Sequence, residues 1–193
     1  VFKLKFLVIS VLVFSTHFVH AEAGGGAGFG INLGVGIPFI TQAGVNYQIS
    51  DRFGVSAGYN LLDLDVDEAS AKLSMPEVIF NYHPFQGSFF LGAGLGKEDF
   101  EVTAIANGGI NIKAEVDATT TIFKLGWMWG AADGGFWYGV DVSYITPSSP
   151  TVKITAPGVP ESDPNYMDVV EAVDKLGRSS YPNITAIRLG YMF

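Results

Sequence analysis

The sequence predicts an all-β fold, an eight-stranded antiparallel transmembrane β-barrel with a short helix in the last extracellular loop. Three observations carry that expectation. Apolar and aromatic residues alternate with glycine, asparagine and serine along eight segments, the period of two that a strand imposes. The final segment keeps the pattern to the last residue, with Ile187, Leu189, Tyr191 and Phe193 on one face and Ala186, Arg188, Gly190 and Met192 on the other. Beyond the N-terminal region, no stretch approaches the run of ~20 apolar residues that a spanning helix requires.

The first segment reads as an export signal. Lys3 and Lys5 precede an apolar run from Phe6 to Phe14, and Val19-His20-Ala21 places small residues before a cleavage point. The expected division is a signal peptide over 1–21 and a barrel domain over 22–193, with Ala21-Glu22-Ala23 a competing cleavage site.

The strands follow in order. The first, about 28 to 37, directs Phe29, Ile31, Leu33, Val35 and Ile37 outward and Gly28, Gly30, Asn32, Gly34 and Gly36 inward. The second, about 42 to 50, places Val45, Tyr47 and Ile49 outside, with Gly44, Asn46 and Gln48 inside, and ends in a tight turn at Ser50-Asp51-Arg52. Strand three carries Phe53, Val55, Ala57, Tyr59 and Leu61 outward. Strand four runs down through Val78, Phe80 and Tyr82, with Glu77, Ile79 and Asn81 inward; Pro76 within it calls for a bulge or an unpaired rim. Strand five begins at Phe89 and continues past Lys97-Glu98-Asp99 to a hairpin turn at Asn107-Gly108-Gly109. Strand six returns with Phe123, Leu125, Trp127 and Trp129 outward, and strand seven with Phe136, Tyr138, Val140, Val142 and Tyr144. Strand eight closes the set.

Short turns at 50–53, 83–88 and 131–135 alternate with long connections at 63–71, 97–117 and 146–181; the short set is expected to face the periplasm and the long set the exterior. The short connection at Pro38-Phe39-Ile40-Thr41 breaks this alternation. Within the last loop, Asp163-Pro164 is an N-terminal helix signal. Tyr166, Val169, Val170, Val173 and Leu176 recur at helical spacing, and Gly177 is the expected stop.

Composition narrows the function. Of 11 basic residues two lie in the signal segment, and 19 acidic residues outweigh the rest, which argues against nucleic acid as a partner. Cysteine is absent, so disulfides, thiol nucleophiles and thiolate metal sites are excluded. A water-soluble barrel would show lysine, glutamate and threonine on one face. Here that face is apolar on every strand, and an interior of glycines is no hydrophobic core, so the greasy face is expected to meet lipid. Tyr82, Trp127, Trp129, Phe136 and Tyr138 then fall at the membrane boundary as interfacial aromatics.

Four ionisable residues, Glu77, Lys124, Asp141 and Arg188, fall on inward faces. Each lies five residues from the periplasmic end of its strand, which puts all four roughly 13 Å deep. Two positive and two negative charges in so narrow a space are expected to neutralise one another as a lumen charge network.

The terminal strand, with Leu189, Tyr191 and Phe193, resembles the insertion signal of Gram-negative outer-membrane proteins. With the aromatic strand ends and internal charges, it makes residues 27–193 resemble small barrels typified by the membrane domain of outer membrane protein A. That resemblance implies the cell outer membrane, contact with its lipid and lipopolysaccharide, insertion by the barrel-assembly machinery, and a monomer. No peptidoglycan-binding domain is expected after the barrel, so the anchoring role such a domain supplies is not expected either.

Catalysis finds little support. His17 and His20 belong to the signal segment, and His83 sits beside Pro84 in a turn, so a histidine-based site at the outer rim is not expected. No cofactor and no metal site are expected; Asp63, Asp65 and Asp67 alternate on one face and are the weak candidates for Ca²⁺ or Mg²⁺. The expected function is a non-enzymatic barrel with a closed, charge-paired lumen, acting in envelope structure or in surface interaction with extracellular or envelope proteins through its loops. The alternative is a passive channel for small hydrophobic solutes.

Overall fold

The computed structural model describes residues 28–37, 40–66, 69–106, 110–159 and 164–193. The export segment, Asp67, the 107–109 turn and Asp163 lie outside them. The chain forms β1 (Gly28–Ile37), β2 (Thr41–Ser50), β3 (Phe53–Val66), β4 (Ala69–Tyr82), β5 (Phe89–Ala106), β6 (Ile110–Trp129), β7 (Gly135–Thr155), α1 (Pro164–Arg178) and β8 (Tyr181–Met192). Each strand runs antiparallel to its neighbour, and β8 pairs back onto β1 through Ile31↔Tyr191 and Leu33↔Leu189, so the sheet closes into a ring.

Alternation explains the two faces. Leu33, Val35, Ile37, Val78, Leu95, Phe123, Tyr138, Ile187 and Leu189 are all exposed on the outside of the ring. Water-soluble monomers rarely show so continuous an apolar surface.

The strands run longer than expected on the hairpin side. The anticipated loop at 63–71 is strand up to Val66 and again from Ala69, and β7 continues to Thr155. Period two persists there: Leu62 and Leu73 are buried with Ile40, and Leu64 and Phe100 pack against them, while Asp63, Asp65 and Lys72 point out. The polar outward residues had disguised the strand as a loop.

Three local departures have physical causes. First, α1 does not stop at Gly177 but runs to Arg178. A Cβ on Gly177 would sit 2.8 Å from Val116 Cγ1, so this glycine serves the close packing of helix on β6. Second, the β4–β5 ladder skips Met75–Pro76 and Lys97–Glu98 yet resumes in the same register at Glu77↔Gly96. Pro76 has no N–H to give, and the ladder opens without a bulge. Third, β8 is bulged. Val35↔Ile187 is followed by Gly36↔Thr185, so Ala186 lies on the exposed side and Thr185 takes the inward place that straight alternation had assigned to Ala186.

The interior is not simply polar. Phe90, Met128, Trp137 and Met192 form a buried cluster near the short turns, and Met75, Ile79, Ile122 and Ile145 form another with Tyr181 against it. Trp137 fits because Gly190 faces it; a Cβ there would overlap the indole.

Candidate functional site

Strands β2, β4, β6, β7 and β8 each send one polar side chain to a common point inside the ring. Glu77, Lys124, Asp141, Arg188 and Gln42 are all buried there. Lys124 Nζ lies 2.7 Å from Glu77 Oε1 and 3.8 Å from Asp141 Oδ1. Arg188 Nη2 lies 2.6 Å from Asp141 Oδ2 and donates to Gln42 Oε1 at 2.7 Å. Gln42 Nε2 donates to Glu77 Oε1 at 2.8 Å. The five side chains therefore make a closed circuit, Glu77–Lys124–Asp141–Arg188–Gln42 and back to Glu77.

The circuit is neutral, two cations against two carboxylates, with the amide as its only uncharged member. Thr185 Oγ1 adds a hydrogen bond to Asp141 Oδ1 at 3.2 Å. Charges so deeply buried persist only when paired and hydrogen-bonded, because an isolated one costs several kcal/mol of lost hydration. Small residues make room: a Cβ on Gly58 would come within 3.2 Å of Gln42 Nε2 and 3.4 Å of Glu77. Beside the circuit, Asn32, Gln42, Asn46, Ser56, Glu77 and Arg188 line a polar cavity of about 10 Å³, room for about one water.

Sequence reasoning missed two members. Gln42 stands two residues before Gly44, on the inward phase of β2, and that phase was the available signal. Thr185 was hidden by the bulge, which no periodicity reveals.

The remaining candidates lie elsewhere. Trp127 and Trp129 stack at 6.5 Å, Trp129 meets Tyr138 at 5.2 Å, and Tyr82 meets Phe53 at 5.3 Å. Phe136 packs edge-on against Tyr191 at 5.3 Å, and Tyr191 against Phe193 at 5.0 Å, so aromatic contacts line the short-turn end and reach the terminal strand. Leu189 is exposed among them. His83 is buried in its turn with Nδ1 3.0 Å from the Gly87 carbonyl. Asp63 and Asp65 are exposed on the outer face of β3, and among the described residues no group of three His, Asp or Glu is placed to hold a metal ion.

Beyond the apolar surface, Lys113 bridges Glu115 at 2.6 Å and Glu101 at 3.0 Å. Hydrogen bonding to these carboxylates raises the Lys113 pKa, and Lys113 lowers that of Glu115. Glu98 is different: burial holds its carboxyl above the ordinary range, offset in part by Tyr181. It makes no ion pair among the described residues.

No protein-family model matches this chain, and no curated protein matches it in sequence. Among solved structures it is similar to CarO of Acinetobacter baumannii, at 15% identity and a TM-score of 0.54, over 86% of this chain and 97% of that one. CarO2 of the same organism is similar at 11% identity and a TM-score of 0.50, over 86% and 98%. A major outer membrane protein from Thermus thermophilus is similar at 12% identity and a TM-score of 0.59, over 86% and 99%. At such identities the likeness is one of fold. The chain thus has a small β-sheet fold similar to that of outer-membrane barrel proteins, and the more specific resemblance to the membrane domain of outer membrane protein A is not what these structures single out.

Proposed function

We propose that this chain is an outer-membrane barrel, made with an export signal at 1–21, that acts as a closed structural or surface-interacting element of the cell envelope. The short turns then face the periplasm, the aromatic end marks the inner boundary of the membrane, and the exposed apolar band meets lipid, with lipopolysaccharide around the outer strands. Insertion falls to the barrel-assembly machinery, with Leu189, Tyr191 and Phe193 as the terminal signal.

The observation that carries this reading is the closed charge circuit across the interior, with apolar clusters packed beside it. The test is conductance of the refolded protein in planar bilayers. Electrical silence is expected; steady unit conductance would refute the closed reading.

A second reading, passage of small hydrophobic solutes, draws on one observation. The ladder opens at Met75–Pro76 and Lys97–Glu98, and buried Met75 belongs to the cluster with Ile79, Ile122 and Ile145. Uptake of an apolar dye into proteoliposomes, lost on cross-linking Met75→Cys to Glu98→Cys, which the register places opposite each other on the inner face, would favour it.

A further inference from the structure

On the hairpin side the ring ends and a smaller open sheet continues. β2 reaches only to Thr41↔Leu61, so Leu62–Val66 of β3 pair with β4 alone. β8 begins at Tyr181↔Ile145, so β7 beyond Ile145 pairs with β6 alone. Among the described residues the protruding sheet therefore has two free edges.

They are not alike. The β7 edge carries Pro147 and Pro150, Ser149 between them has φ 51°, and α1 packs on the same strand. Prolines, a kink and a covering helix are the usual protection of an edge strand. Among the described residues the β3 edge has none of these. Its sequence, Leu62-Asp63-Leu64-Asp65, keeps an even strand with Leu62 buried and Leu64 half-buried on the inner face, and both aspartates exposed on the outer face. Neither carboxylate is ion-paired among the described residues, although Lys72 stands opposite Asp63 in the register.

We infer that the Leu62–Val66 edge is a docking site for an extended basic segment of another protein, which adds to β3 as a further strand. Every second residue of a free edge offers its N–H and C=O sideways, which supplies affinity without sequence demand. The side chains then set the chemistry. Asp63 and Asp65 are two residues apart on one face, so they meet lysine or arginine at alternate positions of the incoming strand. Apolar residues in between continue the row begun by Leu62 and Leu64. A second copy of this chain is a poor occupant, because edge-to-edge pairing would bring Asp63 and Asp65 against their own counterparts. The excess of acid over base in the whole chain, a net charge of −8, favours a basic partner as well. This inference rests on the proposed orientation, in which the hairpin side faces outward.

The test uses the full folded chain in detergent micelles and a fluorescein-labelled peptide of about seven residues in which lysine alternates with valine. Anisotropy is expected to report binding that falls at least tenfold in the double variant Asp63→Asn, Asp65→Asn. Binding should also be lost when alternate peptide amides on one edge are N-methylated. Equal binding of a peptide with the same composition but contiguous lysines would overturn the proposal, since plain charge attraction would suffice. So would no binding at all, which would leave the aspartates as guards of the edge. Conductance and micelle refolding of the same samples are independent of the peptide, so failure of docking is distinguishable from failure of the barrel reading.

Discussion

Lys124 touches both carboxylates of the circuit, Glu77 and Asp141, and so holds it together. Replacing it by methionine leaves Glu77 with only Gln42 and Asp141 with Arg188 and Thr185. Loss of one partner from a buried pair costs about 3–5 kcal/mol, and urea unfolding in micelles is expected to show a loss of that order. Gln42 is uncharged, yet Gln42→Leu strips a hydrogen bond from both Glu77 and Arg188; about 1–3 kcal/mol is expected on the same measurement. A pairing scheme without Gln42 predicts no such loss. At Gly190 the issue is volume. Gly190→Ala forces the Trp137 indole aside and should cost about 1–3 kcal/mol, with partial rescue in the double variant that also carries Trp137→Leu. Additivity of the two single changes would contradict the contact.

Glu98 lies three residues past Leu95, which is exposed and apolar on the outer face of β5. Because burial raises its pKa in the folded chain, the neutral acid is the form the fold prefers. The sign follows: its favourable contribution is complete below the unfolded carboxylate value, about 4.3, and is lost as pH rises through the higher folded value. Stability measured from pH 4 upward should fall over that window, and Glu98→Gln should flatten the fall. A slope unchanged in the variant would assign the effect to other carboxylates.

At the scale of elements, periodicity located all eight strands because outward and inward positions differ so sharply in polarity. It failed where that contrast fades. Asp63, Asp65 and Lys72 are polar on the outer face, so 63–71 reads as a long connection although Leu62 and Leu73 keep the inward phase. Ala186 was misplaced because a bulge shifts phase without changing composition. Gly177 has the chemistry of a stop, and only its contact with Val116 shows that it packs inside a helix. Gly177→Leu is therefore expected to lift α1 from β6 and β7 while the ring stays folded. Limited proteolysis should cut 156–180 faster and leave the strands intact; resistance equal to the parent chain would show that α1 does not depend on that contact.

For the whole molecule, the four charges were legible and their closure was not. Counting residues from strand ends places Glu77, Lys124, Asp141 and Arg188 inward at similar depth, but which cation meets which carboxylate depends on the stagger of the strands. Gln42 enters the circuit because Gly34 of β1 stands opposite both Gln42 and Arg188, and Gly58 of β3 opposite both Gly44 and Glu77, so the amide reaches its partners across intervening glycines. The likeness to solved structures, at 11% to 15% identity, is likewise one of overall fold.

The neutrality of the circuit has an electrical consequence. An electric field across a membrane does work of about 2.3 kcal/mol per elementary charge per 100 mV, but a group whose charges sum to zero is pushed and pulled equally when it shifts as a unit. The circuit should therefore be deaf to voltage: bilayer recordings at opposite polarities are expected to stay equally quiet, and the variant Lys124→Met, which leaves one uncompensated negative charge, is where polarity should first begin to matter.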